Sequence, residues 1–115
     1  MTTLDVTNLI MKRIGERWTY RLLSALSDGE LRFAELLRAL APVKAKVLSE
    51  TLFRLESDGF VRRRIVDARP PQVKYQLTQL GRDMVGLMNS IARWASAHGD
   101  LVLSLANQAS RELTP

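Results

Sequence analysis

Two β-branched runs, "VRRRIV" and "VKYQL", joined by "DARPPQ", restrict the fold of this chain more than any other stretch. Proline cannot donate to a strand ladder, so Pro70 and Pro71 belong to the tip of a hairpin and stiffen it. A two-stranded hairpin is marginal in water by itself. It needs a body to lean on, and the consecutive Arg62, Arg63 and Arg64 need a reason for their charge.

The body reads as helical. Leu4, Ile10 and Ile14 form a short helical pattern that ends near Gly15. Trp18 opens a second helix carrying Leu22, Leu23 and Leu26, stopped by Gly29. "ELRF" is a brief extended link into a third helix from Phe33 to Leu40, which Pro42 ends. In "KAKVLSETLFRLESDG", Leu48, Leu52 and Leu55 fall at i, i+4 and i+7, one inward stripe, and Gly59 follows as the stop. Beyond the hairpin, Thr78 is read as the N-cap of a long helix with Leu80, Met84, Leu87, Met88, Ile91 and Trp94 on one side, ending near His98 and Gly99. A separate short helix is expected over "DLVLSLANQAS". The fold class is therefore mainly α with a small β-hairpin. A helix-turn-helix at about 32–58 with a wing at about 60–77, all in one domain over 1–115, is the winged helix-turn-helix arrangement.

Charge locates the working face. Between Lys44 and Lys74 there are eight cations against four acids, while the rest of the chain holds nine against eight. Nearly all of the net charge of +5 thus lies around the fourth helix and the hairpin, the footprint of a polyanion partner. The sequence has no cysteine and one histidine, so thiolate chemistry and a histidine metal cage are not expected. The first residues, "MTTLDVTNLIMKR", lack the pattern of a secretory signal, and no apolar run is long enough to span a bilayer; a cytoplasmic location is the expectation. No phosphate loop, triad or recognisable carboxylate pair is present, so neither an enzyme nor a cofactor is expected.

Taken together, "IGERWT", "RFAELLRAL", "KVLSETL" with "LESDGFVRR", and "PPQVKYQLTQLG" resemble the HxlR-type regulators, a MarR-like family of winged-helix bacterial transcription factors. The likeness covers roughly residues 10–98. It implies a cytoplasmic homodimer that binds an inverted-repeat operator as a repressor, joined through the first and last helices and answering to a reactive or aromatic small molecule. Four departures stand out. No cysteine is present near the N-terminus, which excludes direct thiol sensing; Lys44 and Ala45 replace the usual serine and proline; Gln72 replaces a wing arginine; and Lys74 replaces a glutamate. The last three leave the surface as basic or more so.

Under this reading Lys46, Ser49, Glu50 and Arg54 face away from the leucine stripe and are candidates for base contacts, since Arg and Lys pair guanine's acceptors and Glu accepts from cytosine. The competing reading is a solvated face with Glu50 and Arg54 paired at i, i+4. Lys44, at the helix mouth, is assigned to phosphate. Strand alternation prevents Arg62, Arg63 and Arg64 from facing one way and leaves open which meets DNA; one of them is expected to cross the core or pair with an acid. Arg64 and the tip residue Arg69 join the candidate set, as does Arg17, for which phosphate contact and a plain surface cation both stay open. Phe53 is expected beneath the wing, Trp18 in the core, and His98 at a helix C-terminus. Leu4, Ile10, Met84, Met88, Ile91, Trp94, Leu101 and Leu105 are the expected dimer interface, with dimerisation helices at about 4–14 and 78–111. Such a dimer would set two recognition helices about 34 Å apart on double-stranded DNA. The rival, from another class, is a protein-interaction winged helix whose reading face binds an acidic protein partner.

Overall fold

The computed structural model describes residues 2–113. They form two compact units, divided between Val85 and Gly86. In the first unit the chain order is α1 (Thr3–Gly15), α2 (Thr19–Leu26), β1 (Leu31–Arg32), α3 (Phe33–Ala39), α4 (Ala45–Ser57), β2 (Val61–Val66) and β3 (Gln72–Leu77), followed by the start of α5 (Gln79–Leu113). Helix α1 begins in a reciprocal cap: the Asp5 N–H donates to Thr2 Oγ1 at 3.2 Å, and the Thr2 N–H donates to Asp5 Oδ2 at 2.9 Å. The same bonds hold the Asp5 carboxyl below its usual range. None of the α1 side chains is buried, and Leu4 and Met11 stand in solvent.

The core is made by leucines arriving at helical spacing. Leu22, Leu23 and Leu26 of α2 meet Leu36 and Leu40 of the α3 turn and Leu48, Leu52 and Leu55 of α4, all buried. Each such side chain is worth about 1.5–3 kcal/mol on burial. Helix α4 stops where the sequence says it should. Gly59 has φ +85°, the Phe60 N–H donates to Leu55 O at 2.9 Å and the Gly59 N–H to Glu56 O at 3.1 Å, the paired bonds of a Schellman ending.

The three strands pair antiparallel in the order β1-β3-β2. Register puts Val61 opposite Leu77, Arg63 opposite Tyr75 and Ile65 opposite Val73 on one face. That face is buried at Val61 and Leu77 and emerges into solvent at Ile65, which is 74% exposed. The other face carries Arg62 opposite Gln76 and Arg64 opposite Lys74, and β1 extends it by placing Arg32 opposite Lys74.

Thr78 closes the hairpin onto α5. Its hydroxyl accepts from the Gly81 N–H at 3.0 Å, the expected N-cap, and donates to Gly59 O at 2.6 Å, while its N–H donates to Phe60 O at 3.1 Å. Helix α5 then corrects one expectation. It runs unbroken to Leu113 instead of ending at His98 and restarting. A glycine inside a helix costs about 1 kcal/mol relative to alanine, which does not end it unless the chain turns there, and Gly99 has no positive φ.

The second unit is the remainder of α5. Leu87, Ile91, Trp94, His98, Leu101 and Leu105 recur at spacings of four and three along it, the repeat of a coiled-coil seam. The five apolar members are exposed, Trp94 at 58%. His98 is not a terminal residue here: its ring stacks on Trp94 with centroids 4.4 Å apart, and its Nδ1 lies 2.9 Å from Trp94 O. Among the described residues no helix is long and apolar enough to cross a membrane.

Candidate nucleic-acid interface

Because α4 spends Leu48, Leu52 and Leu55 on the core, its remaining surface is set by the helical period. Lys44, Lys46, Ser49 and Glu50 are exposed together on the outer side. Lys44 is the N-cap residue and makes no side-chain cap, so its ammonium and the free helix N–H groups share one end. Phe53 does not pack beneath the wing. It is 71% exposed and, with Ser49, Leu52, Glu56, Arg63 and Tyr75, lines an open groove of about 490 Å³ between α4 and the first face of the hairpin. Helical spacing marks Phe53 as off the stripe, but what fills the space between helix and hairpin depends on strand register.

Arg54 departs from both sequence readings. Its Nε donates to Glu16 Oε2 at 3.2 Å, so it is turned toward the end of α1, neither free on the outer surface nor paired with Glu50. The other Glu16 oxygen accepts from Arg13 Nη1 at 3.0 Å, and Arg13 Nε donates to Asp58. Arg13, Glu16, Arg54 and Asp58 thus tie α1 to both ends of the last turns of α4. The Arg13 guanidinium is held above its ordinary range chiefly by its bond to Asp58.

The wing arginines divide by strand parity. Arg63 shares the groove face and donates to Glu56 Oε1 of α4 at 3.0 Å. Arg64, on the opposite face, grips Glu30 through both Nε, at 3.0 Å to Oε2, and Nη2, to Oε1. Arg62 lies on that same face beside Gln76, whose amide oxygen in its satisfied orientation accepts from Arg62 Nε at 2.7 Å. Two of the three arginines therefore pair with acids where one was expected. Arg69 stands exposed at the tip. Arg17 is exposed with its guanidinium 4.9 Å from the Trp18 ring centroid, and Arg21 lies 5.2 Å from the same ring. Trp18 is half-buried under these cations and does not belong to the core.

Arg32, Lys74 and Arg64 form a row across the three strands, an arrangement that like-charge repulsion opposes. Two carboxylates offset it. Glu35 accepts from Arg32 Nε at 3.1 Å and from the Arg32 N–H at 3.0 Å, and Glu30 takes Arg64. Both carboxyls are held below their usual range, Glu35 first by the Arg32 N–H and Glu30 first by the Arg64 bond. A depressed carboxyl contributes stability that is present above the unfolded value, about 4.3, and is lost as pH falls through the lower folded value. The denaturation midpoint of Glu35→Gln should consequently change less than that of the parent between pH 5 and pH 3, read by far-ultraviolet dichroism in urea.

Of the expected dimer residues, Leu4, Ile91, Trp94, Leu101 and Leu105 are exposed and Ile10 is half-buried. Met84 and Met88 are buried, at 7% and 3% exposure. A stripe of apolar residues does not distinguish a helix's own core face from a partner's. Glu16, Glu30 and Asp58 were not singled out from the sequence; each meets an arginine from a distant part of the chain, and Glu16 meets Arg13 as well.

An exposed helix face behind a two-residue strand, flanked by a cationic hairpin packed on the same core, defines a winged helix-turn-helix. The HxlR-like helix-turn-helix family model matches residues 13–102, and the chain belongs to that family of transcriptional regulators. It is 33% identical over 99 residues to YtfH of Escherichia coli K12, an uncharacterized HTH-type transcriptional regulator, spanning 86% of this chain and 79% of that one. A structure from Enterococcus faecalis V583, described as a transcriptional regulator of the MarR family, superposes with a TM-score of 0.75 at 29% identity, over 96% of this chain and 94% of that one. The redox regulator HypR in its reduced form gives a TM-score of 0.75 at 29% identity, over 90% and 99% of the two chains.

Proposed function

We propose that this protein is a cytoplasmic homodimeric repressor that inserts α4 into the major groove at each half of an inverted-repeat operator and lays its wings on the flanking backbone. The single observation that carries the reading is the division of α4, with three leucines spent inward and Lys44, Lys46, Ser49 and Glu50 left together outside, beside a hairpin tipped by Arg69. The major groove, about 12 Å wide, accepts one helix with such a face. Lys46, Ser49 and Glu50 read base edges, Lys44 and Arg69 meet phosphate, and Arg17 adds a backbone contact near α2. Arg54 holds the reading helix against α1 and reaches bases only by leaving Glu16. Repression follows from occupying the promoter. The redox setting named for HypR does not carry over as thiol chemistry, since these 115 residues contain no cysteine.

Selection of binding sites from random duplex DNA tests the proposal. A palindrome with half-sites about one helical turn apart is the expected product. On that site, Arg69→Ala should weaken all duplexes alike and reduce the salt slope by about one per wing. Lys46→Ala should instead relax preference at one base pair per half-site, by about 1–3 kcal/mol. Equal affinity for every polyanion, with no palindrome recovered, would refute operator recognition.

A further inference from the structure

Glu30 has no place in the operator reading, yet it holds a wing arginine in the geometry a phosphate would use. Its two oxygens take Nε and Nη2 of Arg64 side by side, the fork in which guanidinium also grips two phosphate oxygens. The row it faces is the most cationic part of the sheet: Arg32, Lys74 and Arg64 lie in register across three strands, with Arg62 two residues from Arg64 on the same face. Glu35 answers Arg32 from α3, and Gln76 offers Arg62 only a neutral partner. The field of Lys74 and Arg62 adds to that of Arg64 in keeping Glu30 ionised. Glu56 is committed to Arg63 on the opposite face and does not reach this row.

We propose that Glu30 is an internal stand-in for a DNA phosphate, which occupies Arg64 in the free protein and thereby raises sequence discrimination by suppressing backbone binding at non-operator DNA. This rests on the operator reading above. An unoccupied Arg64 would gain affinity for every duplex equally, because phosphates carry no sequence information. With Glu30 in place, a phosphate must displace a carboxylate before it contacts Arg64. Loose, sequence-independent docking supplies too few other contacts to compensate for that exchange. Full insertion of α4 supplies more, so the carboxylate penalises the wrong sites more than the right one.

Glu30→Gln tests this, since it keeps the shape and removes the charge. Affinity for random duplex should rise several-fold, and the ratio of operator to random affinity should fall. The salt slope should steepen by about one per wing, so that a dimer loses about twelvefold more affinity than the parent between 50 and 200 mM salt. In an Arg64→Ala background the same substitution should change neither the slope nor the ratio. Arg64→Ala alone should weaken operator binding more than random-duplex binding, because a phosphate displaces Glu30 from Arg64 only when α4 is fully inserted. Elution from immobilised heparin, a polyanion without bases, reads the release of Arg64 even if no operator exists; later elution of Glu30→Gln than of the parent is expected there. An unchanged slope and unchanged heparin elution would overturn the proposal. So would a gain that persists in full without Arg64, since Glu30 would then act only through net charge. Failure of the parent itself to prefer any duplex would count against the operator reading and leave the heparin result to decide whether Glu30 restrains Arg64.

Discussion

The Ile91→Glu, Leu101→Glu double variant should sediment as a single folded subunit and bind the selected operator about 10²–10⁴ times more weakly than the parent, the factor gained when a second contact becomes intramolecular. Both positions lie on the four-three repeat of α5, and both are exposed in the single chain. Carboxylates there cost the isolated chain little. In a paired seam they would be desolvated and would face each other across the twofold axis, which neither hydrophobic burial nor ion pairing could offset. Dichroism should therefore stay helical while sedimentation and operator affinity change together. A dimer that survives both substitutions would remove this seam from the interface and with it the expected roles of Trp94 and Leu105.

Gly81→Ala should lower stability by about 3 kcal/mol or more, at the upper end of what overpacking a tight site costs. A Cβ at this position would lie 2.1 Å from Phe60 O and 3.2 Å from Leu77 Cδ2. The carbonyl cannot retreat freely, because it accepts the Thr78 N–H, and Thr78 in turn caps the Gly81 N–H. Relief requires α5 to tilt away from the base of the hairpin. Gly86→Ala is the matched control. Nothing lies within 4 Å of its Cβ, so it should stabilise the helix by about 1 kcal/mol, the propensity difference. Urea midpoints for the two variants should move in opposite directions. Equal small shifts would mean that the contact at Gly81 does not restrain α5.

The parts of this fold that were legible in the sequence are those written by local rules. The leucine stripe of α4, the stop at Gly59, the cap at Thr78 and the proline tip each depend on residues within one or two turns, and each appears where spacing put it. Helix α5 was misdivided because a glycine was given the force of a stop when no turn chemistry accompanied it. The exposed cationic face was legible as a region but less so as a set of side chains. The acids that hold Arg54 and Arg64 were not legible in sequence, because Glu16 and Glu30 lie 38 and 34 residues away. Charge counting finds a cationic region; only the tertiary fold says which cations already have an acid. Met84 and Met88 show the converse, since periodicity identified their apolar face and only the fold shows that both side chains are buried.

The alternation of the wing has a consequence for how the family can vary in length here. From Val61 to Val66 every odd position lies on the core side and every even one on the cationic side. Losing one residue inside this run would invert the parity of the rest of the strand, turning guanidinium groups to the core side and hydrocarbon to the cationic side. Losing one from 67–71 changes only the reach of the tip. Insertions and deletions among natural variants should therefore gather between Asp67 and Pro71, leaving the strands themselves a frame of fixed length.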